Sequence, residues 1–176
     1  MSAMRYQLLG HHETPVRVRF GEVDPYGYLW HGHALAHCET ARADLARRFG
    51  LAAGDMLDTG MILPMVEAVC LWKNSAYDDE ALRVQCSLLR PSLPAPFLVF
   101  VYRTVRESNG QEVFRGRTRQ LFMHRDGRLL TRLPDEIRQR LGTLWDYLHG
   151  CPVWDDGEQL VQSLTRLGDY DVRRSD

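Results

Sequence analysis

From His31 to Phe49 the chain carries its most constraining pattern. Ala34, Cys38, Ala41, Leu45 and Phe49 recur at helical spacing, with Leu35, Arg42 and Ala46 on a neighbouring stripe. Arg47 and Arg48 close the segment where cations suit the helix dipole, and Gly50 suits the residue just past its end. A helix with such a stripe needs an apolar surface to cover it, and the downstream sequence is strand-like. MVEAVCLWK (65–73), LRVQCSLL (82–89), PFLVFVYRTVR (96–106) and EVFRGRTRQLFMH (112–124) read as strands. Asn74-Ser75, Ser108-Asn109-Gly110 and Asp126-Gly127 supply turn chemistry between and after them. Ahead of the helix, Val16, Val18 and Phe20 alternate with Arg17 and Arg19, which predicts a strand ending at Gly21. The stretch through Gly54 and Gly60 reads as a loop, and Pro134 starts a second helix through Leu148.

This order of elements gives an α+β fold, one long central helix against a largely antiparallel sheet with short meander connections. The helix face is rich in alanine, which lets a sheet wrap closely around it and equally reflects plain helix propensity. At 176 residues the chain suits one domain. Its formal net charge of -1 offers nucleic acid or anionic membrane no bulk electrostatic attraction. No apolar run approaches the roughly 20 residues that cross a bilayer, and the first residues lack a secretory apolar region, so a cytoplasmic protein is expected. Cys38, Cys70, Cys86 and Cys151 form no C-x-x-C pair and read as small hydrophobes in a reducing compartment. Residues 150–176 turn more charged but keep Leu160, Leu164 and Leu167, as a short docking helix before a frayed end would.

Asp24-Pro25-Tyr26-Gly27 sits between the first strand and the helix, and alone it reads as a turn. With its neighbours it says more. Asp24, Gly27 and His31 form D-x-x-G-x-x-x-H, Glu39 and Arg42 come next on the helix, and Tyr77-Asp78-Asp79 precedes a strand. In this combination the sequence resembles the 4-hydroxybenzoyl-CoA thioesterase branch of the hotdog-fold superfamily, over roughly residues 16–141. The resemblance implies a hotdog domain over 1–142 with a C-terminal extension over 143–176. It implies hydrolysis of an acyl thioester, on coenzyme A or an acyl carrier protein, without a metal or cofactor. Asp24 would be nucleophile or general base, His31 would assist, and the backbone amides of His31 and Gly32 would form the oxyanion hole. Tyr26, Gly27, Tyr28, Trp30 and Ala34 would line the substrate. Ala34 stands where the family commonly has tyrosine, which points to a larger or altered acyl pocket. The resemblance also implies a homodimer or homotetramer with the acyl site between subunits.

The chemistry fits these residue types. A thiolate leaves easily, because its thiol has a pKa of about 8.5. What remains is to deliver a nucleophile, the work of a carboxylate, and to hold the charge on the carbonyl oxygen. Unspent amides at a helix start suit the second task. Other residues read more plainly. His33 and His37 share a helix face, but no third ligand joins them for a metal. Glu39 and Arg42 read as an ion pair, with Glu39 a reserve carboxylate. Tyr26, Tyr28 and Trp30 either cover the helix end or wall the acyl site. Arg115, Arg117 and Arg119 share one strand face and read as a solvated surface, or else as a patch for coenzyme A phosphates; Lys73 is a similar candidate. Two other readings stay open: a hotdog 3-hydroxyacyl-thioester dehydratase and a non-catalytic acyl-thioester-binding dimer.

Overall fold

The computed structural model describes residues 5–164 and 171–174. Strands β1 (Arg5–Leu8) and β2 (His12–Arg17) precede α1 (His31–Arg47) and a short α2 (Ala53–Asp58). Then come β3 (Met61–Ile62), β4 (Met65–Trp72), β5 (Ala81–Leu88), β6 (Arg90–Pro91), β7 (Phe97–Arg106), β8 (Glu112–Leu121) and β9 (Met123–His124). Helices α3 (Asp135–His149) and α4 (Gly157–Leu164) and strand β10 (Asp171–Arg174) complete the order. The main sheet has five strands in the order β2-β5-β7-β8-β4, and every pair in it is antiparallel.

The two faces of this sheet arise from the period-2 pattern of its strands. Leu82, Val84, Cys86 and Leu88 of β5, with Phe100 and Tyr102 of β7, turn to one side and meet Ala34, Cys38, Ala41 and Leu45 of α1. Ile137, Leu141, Leu144 and Leu148 of α3 join the same core. The expected central helix against an antiparallel sheet is therefore present. On the other face Val99, Val101 and Leu89 pack with Tyr6, Leu8, Trp154, Leu160, Val161 and Leu164. Leu160 and Leu164 thus dock as their spacing suggests; Leu167 and the end at 175–176 lie outside the described residues.

Several local expectations change. The strand expected at Val16–Phe20 is β2, which covers His12–Arg17 and follows an unanticipated β1: the Val18 amide already bonds the Glu80 carbonyl, and Phe20, 82% exposed, opens a 3₁₀ turn. The run 51–60 holds the short α2, started by the Asp55 carboxylate on the Ala52 amide. β4 does not pair with β5, its neighbour in sequence, but crosses to the far edge beside β8, so the meander covers β5, β7 and β8 alone. The largest change concerns the arginine row. Arg115 and Arg117 are buried, because the C-terminal segment covers the face on which they stand. Arg115 bonds Glu112 and Asp156, and Arg117 and Arg119 share Glu67. That face is not solvated.

Candidate active site

The loop ahead of α1 is a small hairpin whose geometry the sequence dictates. Val23 and Leu29 bridge across it, and the Gly27 amide closes a turn on the Asp24 carbonyl at 2.9 Å. Gly27 then takes φ +80°, where a side chain would be strained, so D-P-Y-G is a turn ending on its left-handed glycine. The Asp24 carboxylate organises this loop: its Oδ1 accepts the amides of Tyr26 at 2.9 Å and Tyr28 at 3.1 Å. Among the described residues no hydrogen bond reaches its second oxygen, Oδ2, and the residue is half-buried. One oxygen is structural and the other is available.

Immediately afterwards the helix begins without a cap. Trp30 is the N-cap residue and makes no side-chain cap bond. Its carbonyl takes the amides of His33 and Ala34, and its own amide is spent on the Glu22 carbonyl. The amides of His31 and Gly32 have no acceptor among the described residues. Gly32 lets the Trp30 ring approach closely: a Cβ on it would lie 2.2 Å from that ring, which would have to shift. The indole lies against the first helical turn, 4.6 Å from the exposed His31 ring and 5.6 Å from that of His33, and His31 in turn meets Trp72 edge-on.

A cavity of ≈ 360 Å³ opens beside this turn, lined by Tyr28, Leu29, Ala34, Trp72, Lys73, Asn74, Ser75, Ala76 and Val113. Of the sequence-predicted site residues, Tyr28 and Ala34 line it; Asp24, Tyr26, Gly27, Trp30, His31 and Gly32 lie outside its lining, and Tyr26 is 82% exposed. Glu39 and Arg42 form the expected ion pair. His33 and His37 part company, since His37 bonds Glu22 at 3.0 Å. Among the described residues no three potential metal ligands cluster, and no helix is long and apolar enough to cross a membrane.

Glu22 is the residue that sequence reasoning missed. Its carbonyl holds the Trp30 amide, and its carboxylate takes the Arg19 amide and the His37 ring. Partial burial works to raise this carboxyl, but the Arg19 amide and His37 together hold it below its ordinary value. It ties the hairpin to α1. The pairing of Glu22 with His37 spans a turn of unknown path, so spacing alone could not reveal it.

A model of the "Thioesterase-like superfamily" matches residues 18–141 of this sequence. The chain belongs to that superfamily. A protein of Aquifex aeolicus (strain VF5), named provisionally as an esterase, is 29% identical over 72 residues; the match covers 41% of this chain and 56% of that relative. This chain therefore spans little more than half the length of the curated relative. The 1,4-dihydroxy-2-naphthoyl-CoA thioesterase of Synechocystis superposes with a TM-score of 0.67 at 17% identity, over 76% of this chain and 96% of that one. A hypothetical protein of Thermus thermophilus gives 0.66 at 30% identity, over 75% and 98%. The fold is the hotdog fold, shared with these structures.

Proposed function

We propose that this chain hydrolyses an acyl thioester carried by coenzyme A, at the cavity beside the start of α1. The observation that carries the reading is the juxtaposition in one short segment of a half-buried carboxylate with one oxygen unengaged and two helix-start amides without acceptors. Asp24 attacks the thioester carbon or removes a proton from the attacking water. The His31 and Gly32 amides hold the oxyanion, and loss of one such donor typically costs about 10²–10³ in rate. The exposed His31 side chain orients water or the thioester. Release of thiolate then needs little acid assistance.

Ala34 leaves space in the cavity that a larger side chain would occupy, and Tyr28 and Trp72 present aromatic surface there. This favours a flat, bulky acyl group, as the naphthoyl group in the name of the Synechocystis enzyme is. A second copy completes the site. Strand β4 is a sheet edge, paired with β8 alone, and carries exposed Met65, Val66 and Trp72. Pairing two such edges removes an aggregation-prone border and covers the cavity mouth. Residues 1–142 are read as the thioesterase-like domain and 143–176 as an extension, of which Trp154, Leu160, Val161 and Leu164 pack on the sheet face away from α1, in keeping with a family match that stops at 141.

The experiment is thiol release from a panel of aromatic and aliphatic acyl-CoA substrates by the wild type and Asp24→Asn. Asparagine keeps an oxygen for the Tyr26 and Tyr28 amides, so the loop persists while the carboxylate is lost. The expected fall in kcat/KM is about 10²-fold or more. A variant with wild-type rate removes Asp24 from the chemistry. Formation of an enoyl product without thiol release would favour the dehydratase reading instead. Saturable binding without turnover would favour a binding protein.

A further inference from the structure

A thiol carrier of this kind brings phosphates, and phosphates need a cation near the cavity mouth. The arginine row of β8 cannot supply it, because Arg115, Arg117 and Arg119 are engaged with Glu112, Asp156 and Glu67 on the face covered by the C-terminal segment. On the side of the hairpin, Arg17 pairs with Asp79 and Arg106 with Glu80. Among the residues that line the cavity, Lys73 is the one cation. It is the single lysine among 22 basic residues, and it lines the cavity. Its side chain is exposed, and among the described residues no carboxylate lies within ion-pair distance of it.

The backbone beneath Lys73 is unusually well fixed for a connecting segment. The amides of Lys73 and Asn74 both bond the Val113 carbonyl, at 2.9 and 3.2 Å. The Asn74 side chain bonds the Glu112 carbonyl at 2.7 Å, and the Ser75 carbonyl accepts from Arg106. A rigid root with a long flexible stem suits a point charge that must track a tethered phosphate. Arginine, used at every other basic position, would impose a planar fork instead.

We propose that Lys73 anchors a phosphate of the thiol carrier and so sets preference for a phosphorylated carrier over a bare thiol. The proposal rests on the thioesterase reading and names which part of the substrate this residue recognises. The shared chemistry is a phosphate on a pantetheine arm, found in coenzyme A and on an acyl carrier protein.

The test compares Lys73→Ala, Lys73→Arg and the wild type on one acyl group carried by coenzyme A, by an acyl carrier protein and by N-acetylcysteamine, which has no phosphate. Arg47→Ala, which removes an exposed charge at the opposite end of α1, controls for net charge. For Lys73→Ala we expect KM for acyl-CoA to rise about tenfold with little change in kcat, and KM for the N-acetylcysteamine ester to stay put. Lys73→Arg should recover part of the loss. A loss on both phosphorylated carriers places the contact at the shared phosphate; a loss on coenzyme A alone places it in the nucleotide part. Equal KM effects on all three carriers, or none, overturn the anchor. Calorimetric binding of coenzyme A itself, which needs no turnover, separates the two claims. Lys73-dependent affinity in a protein that cleaves no thioester would refute hydrolysis and keep the anchor. Hydrolysis that is indifferent to Lys73 would do the reverse.

Discussion

At the scale of single residues, the site depends on close contacts. Gly32 admits the Trp30 ring over the first helical turn, and a methyl group there would push that half-exposed ring aside. Gly32→Ala should therefore displace the indole and change its fluorescence, and, where the shift disturbs the opening turn, lower kcat about tenfold. A variant with unchanged fluorescence and rate would show that the ring does not press on this turn. Glu22 makes a prediction in pH. Its folded carboxyl binds a proton less tightly than the unfolded one. Its contribution is thus fully present above the ordinary carboxylate pKa of about 4 and is lost as pH falls through the lower folded value. Thermal melts across that acid range should show a shallower decline for Glu22→Gln than for the wild type; parallel curves would contradict the assignment. Asp24, Gly27 and His31 stand out in the sequence because their D-x-x-G-x-x-x-H spacing falls within one short stretch. Glu22 does not, because its partner His37 comes near only once the hairpin has folded.

At the scale of elements, the C-terminal segment changes what one sheet face can do. Trp154 bonds the Leu9 carbonyl at 2.9 Å and lies 4.7 Å from the His11 ring, while Arg103 stacks over it. Asp156 bridges Arg103 and Arg115 at 2.7 and 2.6 Å. Burial lowers the affinity of His11 for a proton, which keeps a further charge out of this cluster. Asp156→Ala leaves two largely buried guanidinium groups short of a partner and should cost about 2–3 kcal/mol. Denaturant unfolding measures it, and a change below about 0.5 kcal/mol, the range of ordinary surface substitutions, would mean that the bridge is idle. The alternating arginines predicted solvent because period 2 says which residues share a face, not what covers that face. Similarly, the strands of the central sheet were readable from their patterns, whereas the crossing of β4 to the far edge was not. Short connections favour sequential pairing, but α1 lies across the sheet and both orders cover it.

At the scale of the whole molecule, the packing of α1 on the sheet brings the hairpin, the opening of α1 and the segment after β4 together. The Leu29 amide bonds the Ala76 carbonyl at 2.8 Å, and Tyr28 bridges Tyr77, which joins those parts directly. The exposed edge of β4 predicts a self-associating chain. Sedimentation should find a dimer or tetramer, and replacing Val66 with lysine on that edge should shift it toward monomer and lower activity together. A monomeric wild type with full activity would leave the cavity complete in one copy. The central claim is that a thioester carbonyl sits between the Asp24 carboxylate and the opening amides of α1. Its most direct test is a crystal structure with a non-hydrolysable acyl-CoA analogue. The account predicts the carbonyl oxygen about 3 Å from the His31 or Gly32 amide, with the carbonyl carbon facing Asp24. An acyl group bound elsewhere, with those amides in water, would contradict it.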